Sequence, residues 1–178
     1  MSISPQEPFI LFRDDLARRE LLFDRPEQIL TADTLDGLET VFEKVEAARA
    51  AGKWLAGYFS YEAGALFEPK LAASLLGGRR IPLCAIGVFG GPKARKAKSE
   101  TAAPGWLLQE PKAAWSFDDY EKRFARVHQH LREGDCYQAN LTFPISAKWH
   151  CDPAAIFNEL ALRQPVRHSA FVNFSETK

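Results

Sequence analysis

Between Tyr137 and Trp149 the side chains alternate in character over thirteen positions. The odd ones are Tyr137, Ala139, Leu141, Phe143, Ile145, Ala147 and Trp149, and the even ones are Gln138, Asn140, Thr142, Pro144, Ser146 and Lys148. Period two is the spacing of a strand with one face on a core and the other on water or a ligand. A long strand over 137–149 is therefore expected. The run just before it supports this reading. Ser116 and Asp119 stand at capping-box spacing, Tyr120, Phe124, Val127 and Leu131 fall on one helical face, and Gly134 supplies a stop. The chain thus reads there as a helix feeding a two-faced strand.

Upstream, Pro8–Phe12, Leu21–Phe23 and Gln28–Thr31 read as short strands. A helix is expected from about Asp36 to Ala51, with Asp36 as its cap, Gly52 as its stop, and Leu38, Val41, Phe42, Val45 and Ala48 as its apolar stripe. Trp54–Ser60 reads as a buried strand containing Gly57, Pro69–Leu76 as a short helix ending at Gly77-Gly78, and Leu83–Phe89 as the next strand. Residues 90–105 lack large apolar side chains and read as a linker or exposed loop. Downstream of the long strand, Asp152-Pro153 is an N-cap followed by proline at the first helical position, starting a helix that Pro165 ends. Ser169–Phe174 reads as a last strand. The organisation expected is 1–90 as an N-terminal α+β region, 91–105 as the linker, and 106–178 as the start of a second region. Helix–strand units recur at 36–60, 68–89, 117–149 and 153–174 without shared residues, which favours α+β layers over a parallel dinucleotide-binding sheet. No G-x-G-x-x-G or P-loop pattern is present.

Bulk properties narrow the function classes. Lys+Arg and Asp+Glu both number 23, so the formal charge is zero and nothing calls for nucleic acid or an anionic membrane. Hydrophobic residues make up 46%, enough for a core. Cys84, Cys136 and Cys151 are an odd count at no metal-like spacing, which points to a reducing cytoplasm rather than a disulfide scaffold. Met1–Pro5 shows no signal-peptide pattern, and no apolar run approaches the ~18 residues of a membrane span.

Several side chains invite chemistry. Gln138, Asn140 and Thr142 on one strand face suit the carboxylates or hydroxyls of a small acid, and equally suit a wet sheet face or a register-fixing network. His128 and His130 are two apart on a helix and diverge, and His150-Cys151 point to opposite sides, so metal binding is not expected. Cys136 has no visible activating base and reads as a packed thiol. Glu62 and Glu68 flank Gly64 with no second carboxylate at a defined spacing, so a structural turn is preferred to an acid–base role.

Two blocks carry a resemblance. Gly134-Asp135-Cys136-Tyr137-Gln138-Ala139-Asn140-Leu141 is similar to the G-D-x-Y-Q-x-N-L signature of chorismate-using synthases, best the aminodeoxychorismate synthase component I family. Gly57-Tyr58-Phe59-Ser60-Tyr61-Glu62-Ala63-Gly64 resembles the G-Y-x-S-Y-E-A-G block of their N-terminal region, and Ser169–Val172 fits a later strand. The resemblance implies a four-layer α/β/β/α sandwich with two packed, largely antiparallel sheets. It implies amination of chorismate to 4-amino-4-deoxychorismate on the way to p-aminobenzoate and folate. Ammonia would come from glutamine through an amidotransferase partner, and Mg2+ would support the chorismate site. Anthranilate synthase component I and other chorismate-using synthases are near alternatives. The family's S-P-E-R-F block, its P-I-K-G-T block with the nucleophilic lysine, and its Mg2+-binding glutamates do not occur before Lys178. The expectation is an N-terminal part of such an enzyme, inactive alone and with no metal ligands of its own. The alternative is a non-enzymatic module that binds a small aromatic ligand or the amidotransferase subunit.

Some relatives hold a tryptophan between the sheets. The positions matching that pocket are Phe12–Asp15, Tyr137, Asn140 and Arg167-His168-Ser169, giving Asp15, Tyr137, Gln138, Asn140, His168 and Ser169 as candidate ligand-binding residues. Arg13 and Asp15 stand where the family has apolar and serine side chains, and Arg167 where it has proline. A charge against an indole needs its own partner, so weak or absent tryptophan binding is expected. Tyr137 and Asn140 fall on opposite faces under strict alternation, so sharing one pocket requires a bulge or a position between layers.

Overall fold

A computed structural model describes residues 7–72, 80–97 and 108–174. In chain order the elements are β1 (Phe9–Asp14), β2 (Arg19–Asp24), β3 (Gln28–Ala32), α1 (Leu35–Ala50), β4 (Trp54–Phe59), a 3-10 helix (Tyr61–Leu66), α2 (Pro69–Ala72), β5 (Cys84–Phe89), β6 (Lys93–Lys96), β7 (Leu108–Ala113), α3 (Phe117–Glu133), β8 (Ile145–Trp149), α4 (Pro153–Arg163) and β9 (Ser169–Asn173). The chain divides into two compact units, Met1–Glu100 with Ala161–Lys178, and Thr101–Leu160.

In the first unit, β6-β2-β1-β9 form one sheet and β3-β5-β4 another, every pairing antiparallel. They pack face to face through Ile10, Phe23, Ala56 and Phe89, with Phe12, Val172 and Phe174 alongside. The outer face of the second sheet receives Leu38 and Val41 of α1 against Leu30, Cys84, Ile86 and Val88. β5 is therefore covered on both sides, and all six of its residues are buried. This explains its unbroken apolar run, since only a strand exposed on one face needs to alternate. Gly87 is required by packing: a Cβ there would lie 2.4 Å from the Phe89 ring. These layers are the α+β arrangement of packed antiparallel sheets expected from the sequence.

α1 begins one residue before the expected start. Thr34, not Asp36, is its N-cap, accepting the Gly37 N–H at 3.1 Å, while Asp36 lies inside the first turn. Gly52 then adopts φ +74° beyond the helix end. β4 is an edge strand rather than a buried one, with Trp54 and Phe59 about half exposed, because β5 is its only ladder partner among the described residues. Lys93–Lys96, inside the run expected as linker, form β6 on β2. Their charge suits an edge, where Lys93 reaches Asp24 at 2.6 Å and Arg95 reaches Glu20 at 2.6 Å. The rest of that run, 98–105, and the helix expected beyond Ala72 lie outside the described residues.

In the second unit, α3 is capped as expected. Ser116 Oγ accepts the Asp119 N–H at 3.2 Å, Asp119 Oδ2 accepts from Ser116, and Gly134 closes the helix at φ +83°. The expected long strand is different. Only Ile145–Trp149 is a strand, paired with β7 across a bulge between Gln109 and Lys112 where Glu110 has φ +50°. Residues 137–144 have no ladder partner among the described residues, and period-two patterning without a partner leaves the backbone extended at most. α4 starts as read, with Asp152 accepting the Ala154 N–H at 2.9 Å.

Candidate functional site

The turn between β1 and β2 is built by Asp14, whose Oδ1 accepts the Ala17 N–H at 2.8 Å, while Arg18 takes φ +53°. The register then sets Arg13 opposite Glu20, Glu20 opposite Arg95, and Ser169 of β9 opposite Arg13. A row of polar side chains crosses the whole first sheet. Arg13 Nε donates to Asp15 Oδ1 at 2.7 Å and its guanidinium lies 3.7 Å from Glu20 Oε1, while Arg95 donates to Glu20 Oε2 at 2.6 Å. The side chains of Arg13, Asp15 and Glu20 are only 4%, 8% and 5% exposed. Buried charges need partners, and the arginine placed where the family has an apolar side chain has Asp15 and Glu20 among its own.

Asp15 also ties the hairpin to the approach to β9. Its N–H donates to Val166 O at 2.9 Å, and its Oδ2 accepts the Val166 N–H at 3.0 Å. Ser169 Oγ donates to the Arg13 carbonyl at 3.1 Å. Beside this row lies a groove of about 1000 Å3 whose lining includes Phe12, Arg13, Arg167, His168 and Ser169. Of the candidate residues, Asp15, His168 and Ser169 therefore gather at one end of the first sheet. Arg95 and Glu20 belong to the same cluster and were missed by sequence reasoning. Recognising Asp14–Arg19 as a hairpin turn would have set Arg13 opposite Glu20.

Tyr137, Gln138 and Asn140 lie in the second unit and are exposed, Tyr137 almost completely at 96%. Asn140 and Thr142 line a groove of about 350 Å3 together with Tyr120, Phe124, Val127, His128 and Leu131 of α3. Ala139 and Leu141 line it as well. Four consecutive residues reach one groove because the backbone is not held in a pleated ladder, so strict alternation does not govern Asn140. The side-chain amide and hydroxyl there can accept or donate to a small acid, against the apolar stripe of α3.

Glu62 and Glu68 are exposed around the 3-10 helix. Cys84, Cys136 and Cys151 are free, and burial pushes the Cys84 thiol pKa up. His128 stacks on Phe124, and His130 Nδ1 lies 2.7 Å from Asp135 Oδ2. His130, Glu133 and Asp135 form the one group of possible metal ligands among the described residues. A site with an imidazole donor does not fit Mg2+, which takes oxygen ligands in octahedral geometry. No helix among the described residues is long and apolar enough to cross a membrane.

Comparison with known proteins agrees with these blocks. The family model described as chorismate binding enzyme matches residues 7–178. The chain is 27% identical over 143 residues to aminodeoxychorismate synthase component 1 of Klebsiella aerogenes, an alignment covering 67% of this chain and 32% of that protein. The chain thus spans about a third of the curated relative it matches. No solved structure matches it. With the family model covering nearly all of its length, the chain belongs to the chorismate-binding enzyme family.

Proposed function

We propose that the chain is the N-terminal part of an aminodeoxychorismate synthase component I, which aminates chorismate to 4-amino-4-deoxychorismate for p-aminobenzoate and folate synthesis in the cytoplasm. The observation that carries this reading is the similarity to the Klebsiella aerogenes protein of that name, together with the family match over residues 7–178. The placement of Asn140 and Thr142 beside α3 supports it, because an amide and a hydroxyl suit the polar groups of a small cyclic acid. Ammonia would come from glutamine through an amidotransferase partner. Mg2+ and the catalytic lysine would be held outside these 178 residues, and the chain alone would not turn over chorismate.

The test begins with the intact mass of the native protein. A mass well above 20.0 kDa is expected. That protein is then incubated with chorismate, an ammonium salt and Mg2+, and products are separated by chromatography. Formation of 4-amino-4-deoxychorismate is the expected result. Anthranilate would move the assignment to the neighbouring branch, and turnover by the 178-residue chain alone would overturn the placement of the catalytic residues.

A further inference from the structure

At the C-terminal end of α3 the backbone folds back and gathers three ligand-type side chains that the proposed activity does not use. Gly134, at φ +83°, lets its own N–H and that of Asp135 both reach the His130 carbonyl, the second at 3.0 Å. This reversal lays Asp135 over the last turn, with its Oδ2 2.7 Å from His130 Nδ1. Glu133 follows His130 by three residues and so shares its side of the helix. One donor atom from each of His130, Glu133 and Asp135 lies within 4.8 Å of the other two. The sequence reading paired His130 with His128 and expected no metal. His128 instead stacks on Phe124, and the neighbours of His130 are two carboxylates. Gln129 Nε2 donates to Glu133 Oε1 at 2.7 Å, the kind of outer contact that orients a ligating carboxylate. Among the described residues neither Glu133 nor Asp135 pairs with a lysine or arginine. Two negative charges therefore converge with only an imidazole between them.

We propose that His130, Glu133 and Asp135 bind one Zn2+ ion that clamps the turn after α3 onto the helix. One imidazole nitrogen and two carboxylate oxygens are a set zinc takes, with water in the fourth position. Mg2+ and Ca2+ take oxygen ligands instead. Ligand atoms on a tetrahedral zinc stand roughly 3.3 Å apart, given bonds of about 2.0–2.1 Å. The His130–Asp135 pair has only to open slightly to admit the ion. Binding uses the Nδ1 lone pair, so the neutral ring carries its proton on Nε2 in the metal-bound form. The His130 and Asp135 side chains are 45% and 59% exposed, so the ion enters from solvent and water can complete its coordination. The negative end of the helix dipole favours a cation at this place. No residue of α3 is fully buried, so a ligand held only by the folded turn adds directly to the helix's stability. The inference is independent of the proposed activity, because its test measures binding alone.

Isothermal titration calorimetry of the full chain with ZnCl2 tests it, after stripping with EDTA and with excess Mg2+ present. One zinc ion per chain is expected at this site, undisturbed by Mg2+. His130→Gln, Glu133→Gln and Asp135→Asn are each expected to weaken it by tenfold or more, since even outer contacts are worth roughly that. His150→Gln and Cys136→Ser should leave the affinity unchanged, the first as an exposed imidazole elsewhere and the second as the neighbouring thiol. Co2+ in place of zinc should give the visible absorption of a tetrahedral site, lost in the same three variants. Asp135→Asn keeps a hydrogen-bond acceptor for His130, so it gives a second reading if His130→Gln loosens the helix end in circular dichroism. Absence of zinc binding, displacement by Mg2+, or indifference to the three substitutions would each overturn the proposal. So would loss of the site in Cys136→Ser or His150→Gln, which would mark an adventitious site on those side chains.

Discussion

Arg13, Glu20 and Arg95 face one another across three strands, and the consequence of disturbing them depends on burial. Glu20→Ala removes a carboxylate that two arginines share in a nearly water-free position, and takes from Arg13 one of its carboxylate neighbours, Asp15 remaining. We expect a loss of about 3 kcal/mol in urea denaturation, the scale for breaking a buried pair. Glu46→Ala breaks the pair with Arg49, in which both side chains are mostly exposed, and should change stability by less than about 0.5 kcal/mol. Gly87→Ala sets a methyl against the Phe89 ring at the centre of the inter-sheet core, and overpacking of this kind should cost about 1–3 kcal/mol in the same assay. Cys84 is fully buried, and burial raises its thiol pKa, whereas Cys136 and Cys151 are half-buried. A maleimide reagent at neutral pH should therefore label Cys136 and Cys151 first, with Cys84 reacting only on unfolding. Labelling of Cys84 at the same rate in the native protein would contradict its placement.

At the scale of elements, α3 has a clear local logic and little burial. None of its residues is fully buried, so its caps carry an unusual share of its stability. Hydrogen bonds from the Ser116 hydroxyl and N–H hold the Asp119 carboxyl below its ordinary pKa. A depressed carboxyl stabilises the helix above its unfolded pKa, and that contribution disappears as pH falls through the folded one. Helix content measured by circular dichroism should therefore drop on acidification in the wild type. In Ser116→Ala it should start lower and lose less, because the group that titrates has lost its partner. An identical acid profile in the two proteins would mean that the capping box does not set this dependence. The extended run at 137–144 shows the opposite case, an element with a strong pattern and no partner. Its alternation is real, yet a strand exists only where β7 supplies the ladder to Ile145–Trp149.

For the whole molecule, stability is unevenly spread. Both buried clusters belong to the first unit, where β5 lies between α1 and the facing sheet. In the second unit β7 is exposed throughout, α3 has no buried residue, and Phe117, Phe124, Ile145 and Trp149 are half or more exposed. A two-stranded sheet is marginal in water by itself. Amide hydrogen exchange should therefore be slowest in β5 and faster by orders of magnitude in β7, β8 and α3. Protection of α3 equal to that of β5 would show that its apolar face is covered in solution.

Helix ends, short strands and family membership could be read directly from the chain. They depend on neighbours in sequence: Ser116 with Asp119, the stop at Gly134, Asp152 before Pro153, and the blocks at 57–64 and 134–142. Thr34 displaced Asp36 as a cap because both types serve and only the backbone entry angle chooses between them. What the tertiary structure alone decided is set by long-range pairing. It made β4 an edge, recruited Lys93–Lys96 as β6, restricted the strand in 137–149 to its last five residues, and set Arg13, Glu20 and Arg95 in one buried row. A charge in a single sequence shows its residue type but not its partner. Arg13 and Glu20 are adjacent only because the turn at Asp14–Arg19 closes, and Arg95 joins them only after the chain has crossed into the other sheet and returned.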